Sequence, residues 1–200
     1  MARLTLATNN THKVEELRTL LQGAGVEIAG LENHPQLREI PEEWETLEEN
    51  ALQKARTVHR VVGGPVLADD TGLEVGYLIN APGVRSSRYA GEKATYADNC
   101  RKLLAELRGV AERRRGARFR CVLAFIDPAG KEHLAEGTVR GTILESPRGA
   151  GGFGYDPVFM PDGHRKTFAE MTAAEKNGLS HRALAAAALR PLLERAFGRP

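Results

Sequence analysis

Asp69 and Asp70, inside Ala68–Gly72 (ADDTG), are adjacent acids at the end of a short apolar run, beside Thr71 and Gly72. Two carboxylates there can hold a hard cation or orient a water. Successive strand side chains point to opposite faces, so one acid is expected to enter a site while the other caps a backbone group. A second acidic source is Glu39–Asn50 (EIPEEWETLEEN), most of whose carboxylates read as solvated charges at a helix entry. One of them could reach a metal, and Lys54, four residues after Asn50, could point the same way.

Thr8–Lys13 (TNNTHK) lies between a strand and a helix, where unpaired amides at a helix start make a seat for phosphate. Lys13 adds charge, and Thr8, Asn9 and Asn10 add donors. The spacing is not that of a P-loop, and Asn10 or Thr11 could equally be a plain helix cap. Near the C-terminus, Ala174–Arg182 (AEKNGLSHR) supplies Lys176, His181 and Arg182. Ser180 reads as an N-cap, which sets His181 and Arg182 against the helix dipole, a broken local rule that invites a functional reading. Thr172 and Glu175 read as a capping box with a structural role only.

Gly149–Gly154 satisfies G-x-G-x-x-G, the dinucleotide-binding pattern, but that pattern needs a helix opening at its third glycine. Pro157 pushes Asp156 toward extended geometry, and Pro161 follows four residues later, so no helix can run from Gly154. What remains is a glycine loop presenting Phe153, Tyr155 and Asp156.

The elements that must position these residues are legible from periodicity. Strands are expected at Arg3–Ala7, Val26–Gly30 and Pro65–Asp70, and helices over Thr11–Ala24, Thr46–Val62 and Thr95–Leu107. Arg118–Ile126 and His133–Val139 form a hairpin across the Asp-Pro-Ala-Gly turn. A closing helix starts near Ser180, kinked or interrupted at Pro191. Early alternation of helix and strand followed by a hairpin implies a mixed α/β fold with a central sheet.

Two hundred residues suit one domain or two packed lobes, with 42% hydrophobic and 27% charged residues. The net charge of +2, from 28 basic and 26 acidic residues, is too even for a nucleic-acid surface, and Arg113–Arg115 reads as a solvated loop rather than a nucleic-acid patch. Arginine outnumbers lysine 21 to 7, which points to genome composition or heat tolerance rather than function. Cys100 and Cys121 lack framework spacing and read as free thiols in a reducing compartment. With no signal-peptide core and no membrane-length run, the expected location is cytoplasmic, with no nucleic-acid or membrane partner.

Six segments in order, LATNNTHKVEEL, EENALQKA, LADDTGLEV, APGVRSSRYAG, GGFGYDPVF and AEKNGLSHRALA, resemble the inosine/xanthosine triphosphate pyrophosphatase family from residue 3 to about 195. The resemblance implies an elongated mixed-sheet α/β protein, one functional domain over 1–200 with two lobes around a central substrate cleft, forming a homodimer. It implies Mg²⁺-dependent hydrolysis of non-standard purine nucleoside triphosphates (ITP, dITP, XTP) to monophosphate and pyrophosphate. Thr8, Asn9, Asn10, Thr11, His12 and Lys13 would bind substrate, with Lys13 on phosphate. Asp70 would be catalytic and contact Mg²⁺, Asp69 would assist, Thr71 would touch substrate, and Lys54 would face phosphate. Glu42 falls where the metal-associated glutamate is expected. Glu43-Trp44 replaces the family's Thr-Gly step, which keeps Glu43 as an alternative metal contact and lets Trp44 pack over the cleft. Phe153 would stack on the base with Gly154, Tyr155 and Asp156 lining its pocket, while Lys176, His181 and Arg182 would read its polar edge. Two other readings stand beside this one. A pyrophosphatase for modified pyrimidine nucleotides is opposed by the SHR and FGYD segments, and a non-catalytic nucleotide-binding module would need neither paired acids nor Mg²⁺.

Overall fold

A computed structural model describes residues 2–37 and 40–198. Glu39, the first acid of the Glu39–Asn50 stretch, lies outside the described residues. Strand β1 (Ala2–Leu6) pairs in parallel with both β2 (Val26–Ala29) and β3 (Val66–Val75). Helix α1 (Thr11–Leu20) separates β1 from β2 in the chain, and α2 (Leu47–Val62) separates β2 from β3. Parallel neighbours need such crossovers. The two-residue β4 (Pro82–Gly83) pairs antiparallel with β3. After α3 (Tyr96–Glu106) come β5 (Gly116–Ile126) and β6 (Glu132–Ile143), joined by a turn in which Asp127 Oδ1 accepts from the Ala129 and Lys131 amides. The short β7 (Phe159–Pro161) pairs antiparallel with β6. Two helices close the chain, α4 (Ala173–Asn177) and α5 (His181–Phe197). The sheet is seven-stranded and mixed, in the order β2-β1-β3-β5-β6-β7 with β4 on β3.

The local signals hold where side chains terminate the helices. Thr46 accepts from the Glu49 amide at the start of α2, and Thr95 with Asp98 forms a capping box on α3. Thr172 and Glu175 form the capping box of α4. Three details differ from the sequence reading. Helix α1 ends at Leu20, because Gly23 and Gly25 adopt φ of 80° and 76° and the chain leaves the helix before Ala24. Pro191 lies inside α5, so of the two outcomes expected there the interruption does not occur. Strand β3 does not stop at its acids but runs on to Val75, so Asp69 and Asp70 sit mid-strand with their backbone held by the sheet.

The chain divides into two compact units. The first gathers the residues up to Asp70, Cys121–Gly137 and the stretch from Arg182 onward. Its core packs Leu4 and Leu6 against Val14 and Leu17 of α1, Leu67 of β3, Leu123 and Phe125 of β5, and Leu189 and Leu193 of α5. The second holds Thr71–Arg120 and Thr138–His181, and is built on Leu73, Val75, Leu103, Phe119, Ile143, Phe159 and Phe168. Asp69 shares the strand face of Leu67, and that period of two sends its carboxylate into the first core.

Candidate active site

In the first unit, Asp69 is fully buried and wrapped by donors. Lys13 Nζ lies 2.6 Å from Oδ1 and also donates to the Asp69 main-chain oxygen at 3.3 Å. Arg182 Nε donates to Oδ2 at 2.7 Å, and the Cys121 thiol donates to the same oxygen at 3.3 Å. Arg182, itself buried, places Nη1 2.6 Å from Glu16 Oε2. Burial alone would push the Asp69 carboxyl up, but Arg182 and then Lys13 outweigh it and hold it well below the usual carboxylate range. Asp69 is an anion at neutral pH that fixes two cations.

Asp70 has the opposite surroundings. Burial dominates and raises its carboxyl to about 6, against the pull of Lys54 and Lys13 and with a further push from Glu42. Lys54, two turns into α2 and buried, donates to Asp70 Oδ1 at 2.5 Å and is also ion-paired with Glu42. Burial would lower the ammonium's pKa, and the two carboxylates reverse that and raise it. Glu42 reaches this lysine while Glu43 is exposed, which favours Glu42 over its neighbour as the acid facing Asp70. The segment carrying Glu42 is pinned by Asn50, whose amide donates to the Trp44 and Thr46 carbonyls and whose oxygen accepts from the Trp44 amide. Trp44 is 36% exposed.

The Thr8–Lys13 loop does the capping job its sequence allowed. Asn10 Oδ1 caps α1 by accepting from the His12 and Lys13 amides, at 3.1 and 3.3 Å. Thr8 Oγ1 accepts from the Asn10 amide, and Asn9 donates to the Leu37 carbonyl. The cap therefore takes amides that the phosphate-seat reading reserved for a ligand. Thr11 and His12 are exposed, and Lys13 is turned onto Asp69.

In the second unit the organising group is Asp156. Its Oδ2 accepts from Lys176 Nζ at 2.7 Å and from the Phe153 amide at 2.9 Å. The same ammonium lies 4.8 Å from the centre of the Phe153 ring, a cation–π contact. Gly152 is required, because at φ of 68° any Cβ would collide with the Asp156 carboxylate. Gly151 anchors the loop to the Ala169 carbonyl at 3.0 Å, and the Gly154 carbonyl accepts from the Cys100 thiol. Tyr155 is buried with its hydroxyl on the Ser86 carbonyl, and burial raises its pKa. His181 stacks on Phe119 with centroids 4.5 Å apart. Thr71, half-buried, opens this unit's share of β3.

Of the expected site residues, the structure thus joins Lys13, Asp69 and Arg182 in one cluster, Glu42, Lys54 and Asp70 in a second, and Phe153, Asp156 and Lys176 in a third. Sequence reasoning missed Glu16, Cys121 and Asn50. Asn50 alone left a local signal, a poor helix former inside a helix.

A mixed-sheet α/β chain with a buried acid–lysine–acid cluster and a glycine loop carrying an aromatic ring defines a class of nucleotide-handling proteins. The chain belongs to the Ham1 family, whose sequence profile matches residues 4–192. It is 53% identical over 193 residues to a dITP/XTP pyrophosphatase of Porphyromonas gingivalis, covering 96% of this chain and 98% of that one. It is 42% identical to a dITP/XTP pyrophosphatase of Streptomyces coelicolor, covering 99% of this chain and 100% of the other. Among solved structures, a HAM1 protein from Coxiella burnetii superposes with a TM-score of 0.87 at 38% identity, over 98% of this chain and 100% of that one.

Proposed function

We propose that this chain hydrolyses the non-standard purine nucleoside triphosphates ITP, dITP and XTP to the monophosphate and pyrophosphate, clearing them from the nucleotide pool. The observation that carries this reading is the Glu42–Lys54–Asp70 cluster, supported by relatives named for dITP and XTP. Lys13 and Lys54 are the cations suited to the triphosphate. Asp70, held by Lys54, is suited to orient the attacking water and accept its proton. That water adds to the α-phosphorus, the α–β anhydride bond breaks, and pyrophosphate leaves with the bridging oxygen.

Mg²⁺ fits this cluster. The donors are carboxylate oxygens, suited to a hard cation, and two of them leave coordination positions for waters and phosphate, as Mg²⁺ prefers. Among the described residues no group of three or more His, Cys, Asp or Glu could hold a metal, so a self-contained protein cage is not on offer. Glu42 and Asp70 would hold the ion, which when bound neutralises phosphate charge and acidifies water. Phe153 would stack on the base, and Lys176 would donate to its 6-keto oxygen.

The test is incubation with dITP, dATP and dTTP plus Mg²⁺, with products separated by ion exchange. Monophosphate and pyrophosphate from dITP are expected, and diphosphate plus single phosphate would overturn the assignment. The resemblance also supports a cytoplasmic location and a homodimer, and light scattering on the purified chain would check the dimer. No helix among the described residues is long and apolar enough to cross a membrane.

A further inference from the structure

Lys54 is the cation of the Glu42–Asp70 cluster. Its ammonium lies where the Glu42 and Asp70 carboxylates converge, 2.5 Å from Asp70 Oδ1 and in direct contact with Glu42 Oε1. All three side chains are largely withdrawn from water, at 8%, 26% and 7% exposure for Lys54, Glu42 and Asp70. Two carboxylates aimed at one point repel unless a cation lies between them, and in the nucleotide-free protein the lysine supplies it.

We infer that Lys54 is a placeholder for the divalent ion, which makes metal capture conditional on the arrival of an anion. The argument rests on the Mg²⁺ reading above. An ion seeking both carboxylates must displace the ammonium. The lysine, on a buried position of α2, is then left as an unpaired buried charge, a costly state. A triphosphate removes that cost by offering oxygens to the displaced ammonium. Anion and metal therefore help each other to bind, and linkage requires the coupling to be reciprocal. The nucleotide-free protein holds divalent ions weakly, and the metal enters with its nucleotide.

The experiment titrates Mn²⁺ into the nucleotide-free 200-residue protein and follows the free ion by electron paramagnetic resonance. Lys54→Met and Lys54→Gln remove the placeholder, Lys54→Arg keeps a cation there, and Lys102→Met removes a lysine on α3 as a general charge control. The Met and Gln variants should bind Mn²⁺ at least tenfold more tightly than wild type, with Arg and the control close to wild type. If Lys54→Met fails to fold, the Gln and Arg pair carries the comparison. Equal affinity in wild type, Met and Gln would overturn the inference while leaving the Mg²⁺ reading intact. Tightening by Lys102→Met as large as that by Lys54→Met would overturn it too, by showing bulk charge rather than position. No site-bound Mn²⁺ in any variant, together with dITP hydrolysis in excess chelator, would overturn both.

Discussion

Asp69 and Asp156 are both buried acids, at 0% and 2% exposure, each with a lysine at 2.6 or 2.7 Å, and they belong to different units. Asp69 lies mid-strand and is also gripped by Arg182, which is gripped in turn by Glu16. Asp156 lies at the end of a glycine loop and also accepts from the Phe153 amide. The same side chain thus serves two ends. In the first unit alternating charges on a strand and two helices make a fixed frame for Lys13. In the second unit one carboxylate shapes a loop that has no regular structure to shape it. Removing the first should cost stability, and removing the second should cost affinity for the base.

The largest expected effect is Asp69→Asn. Breaking a buried ion pair by deleting one partner costs about 3–5 kcal/mol, because Arg182 and Lys13 remain buried with less compensation. At about 2–4 °C per kcal/mol for a chain of this size, the melting temperature should fall by on the order of 10 °C. Calorimetry checks this. A loss under about 1 kcal/mol would mean that Glu16 alone satisfies Arg182, and that Asp69 frames nothing.

Next comes Asp70→Asn. It should fold normally and lose about 10²-fold or more in pyrophosphate release from dITP, as expected when a metal-holding, proton-accepting carboxylate is neutralised. Measured well below its melting temperature, Asp69→Asn should lose less rate than that. Equal losses would erase the division between the frame and the reacting group.

Asp156→Asn sharpens the other side of the comparison. The amide keeps an oxygen for the Phe153 amide but loses its charge toward Lys176, so the loop and the lysine should drift. A rise in KM for dITP of about tenfold is expected, in line with losing a charge-assisted hydrogen bond worth about 1.5–3 kcal/mol, with kcat nearly unchanged and a smaller fall in melting temperature than for Asp69→Asn, since one buried cation rather than two loses its partner. A large drop in melting temperature would make Asp156 a frame residue like Asp69.

These differences were unevenly readable in the sequence. The helix starts at Thr46, Thr95 and Thr172 were legible because caps act across three residues. The paired acids, the lysines and the glycine loop were legible because their chemistry is local or matches the family's segments. The extension of β3 to Val75 was hidden, since the apolar run stops at the paired acids and only sheet pairing carries the strand past them. The contacts of Arg182 with Glu16 and of Cys121 with Asp69 span 166 and 52 residues, and no periodicity reports such separations. Glu43 could be set aside as the acid facing Asp70 only once Lys54 was placed in contact with Glu42.

The smallest effect is in pH, and it separates the two neighbours on β3 by sign. The Asp70 carboxyl is raised in the folded chain from 3.8 to about 6, so the native state binds its proton more tightly than the unfolded chain does. Its contribution is fully present below pH 3.8 and is lost as pH rises through about 6. Asp69 is depressed, so its contribution is present above 3.8 and is lost as pH falls toward its lowered folded value. Melting curves of wild type, Asp70→Asn and Asp69→Asn between pH 3 and 8 should therefore cross in opposite ways. Wild type should lose ground to Asp70→Asn between pH 4 and 7, and gain ground on Asp69→Asn as pH rises from the acid end. A full two-unit shift would be worth about 3 kcal/mol. Lys54 remains paired with Glu42 after the substitution, so about 1 kcal/mol, or about 2–4 °C, should survive. If Asp70→Asn melts below wild type by more at pH 7 than at pH 4, the Asp70 carboxylate is stabilised rather than strained by its surroundings. The contrast between the two acids would then collapse.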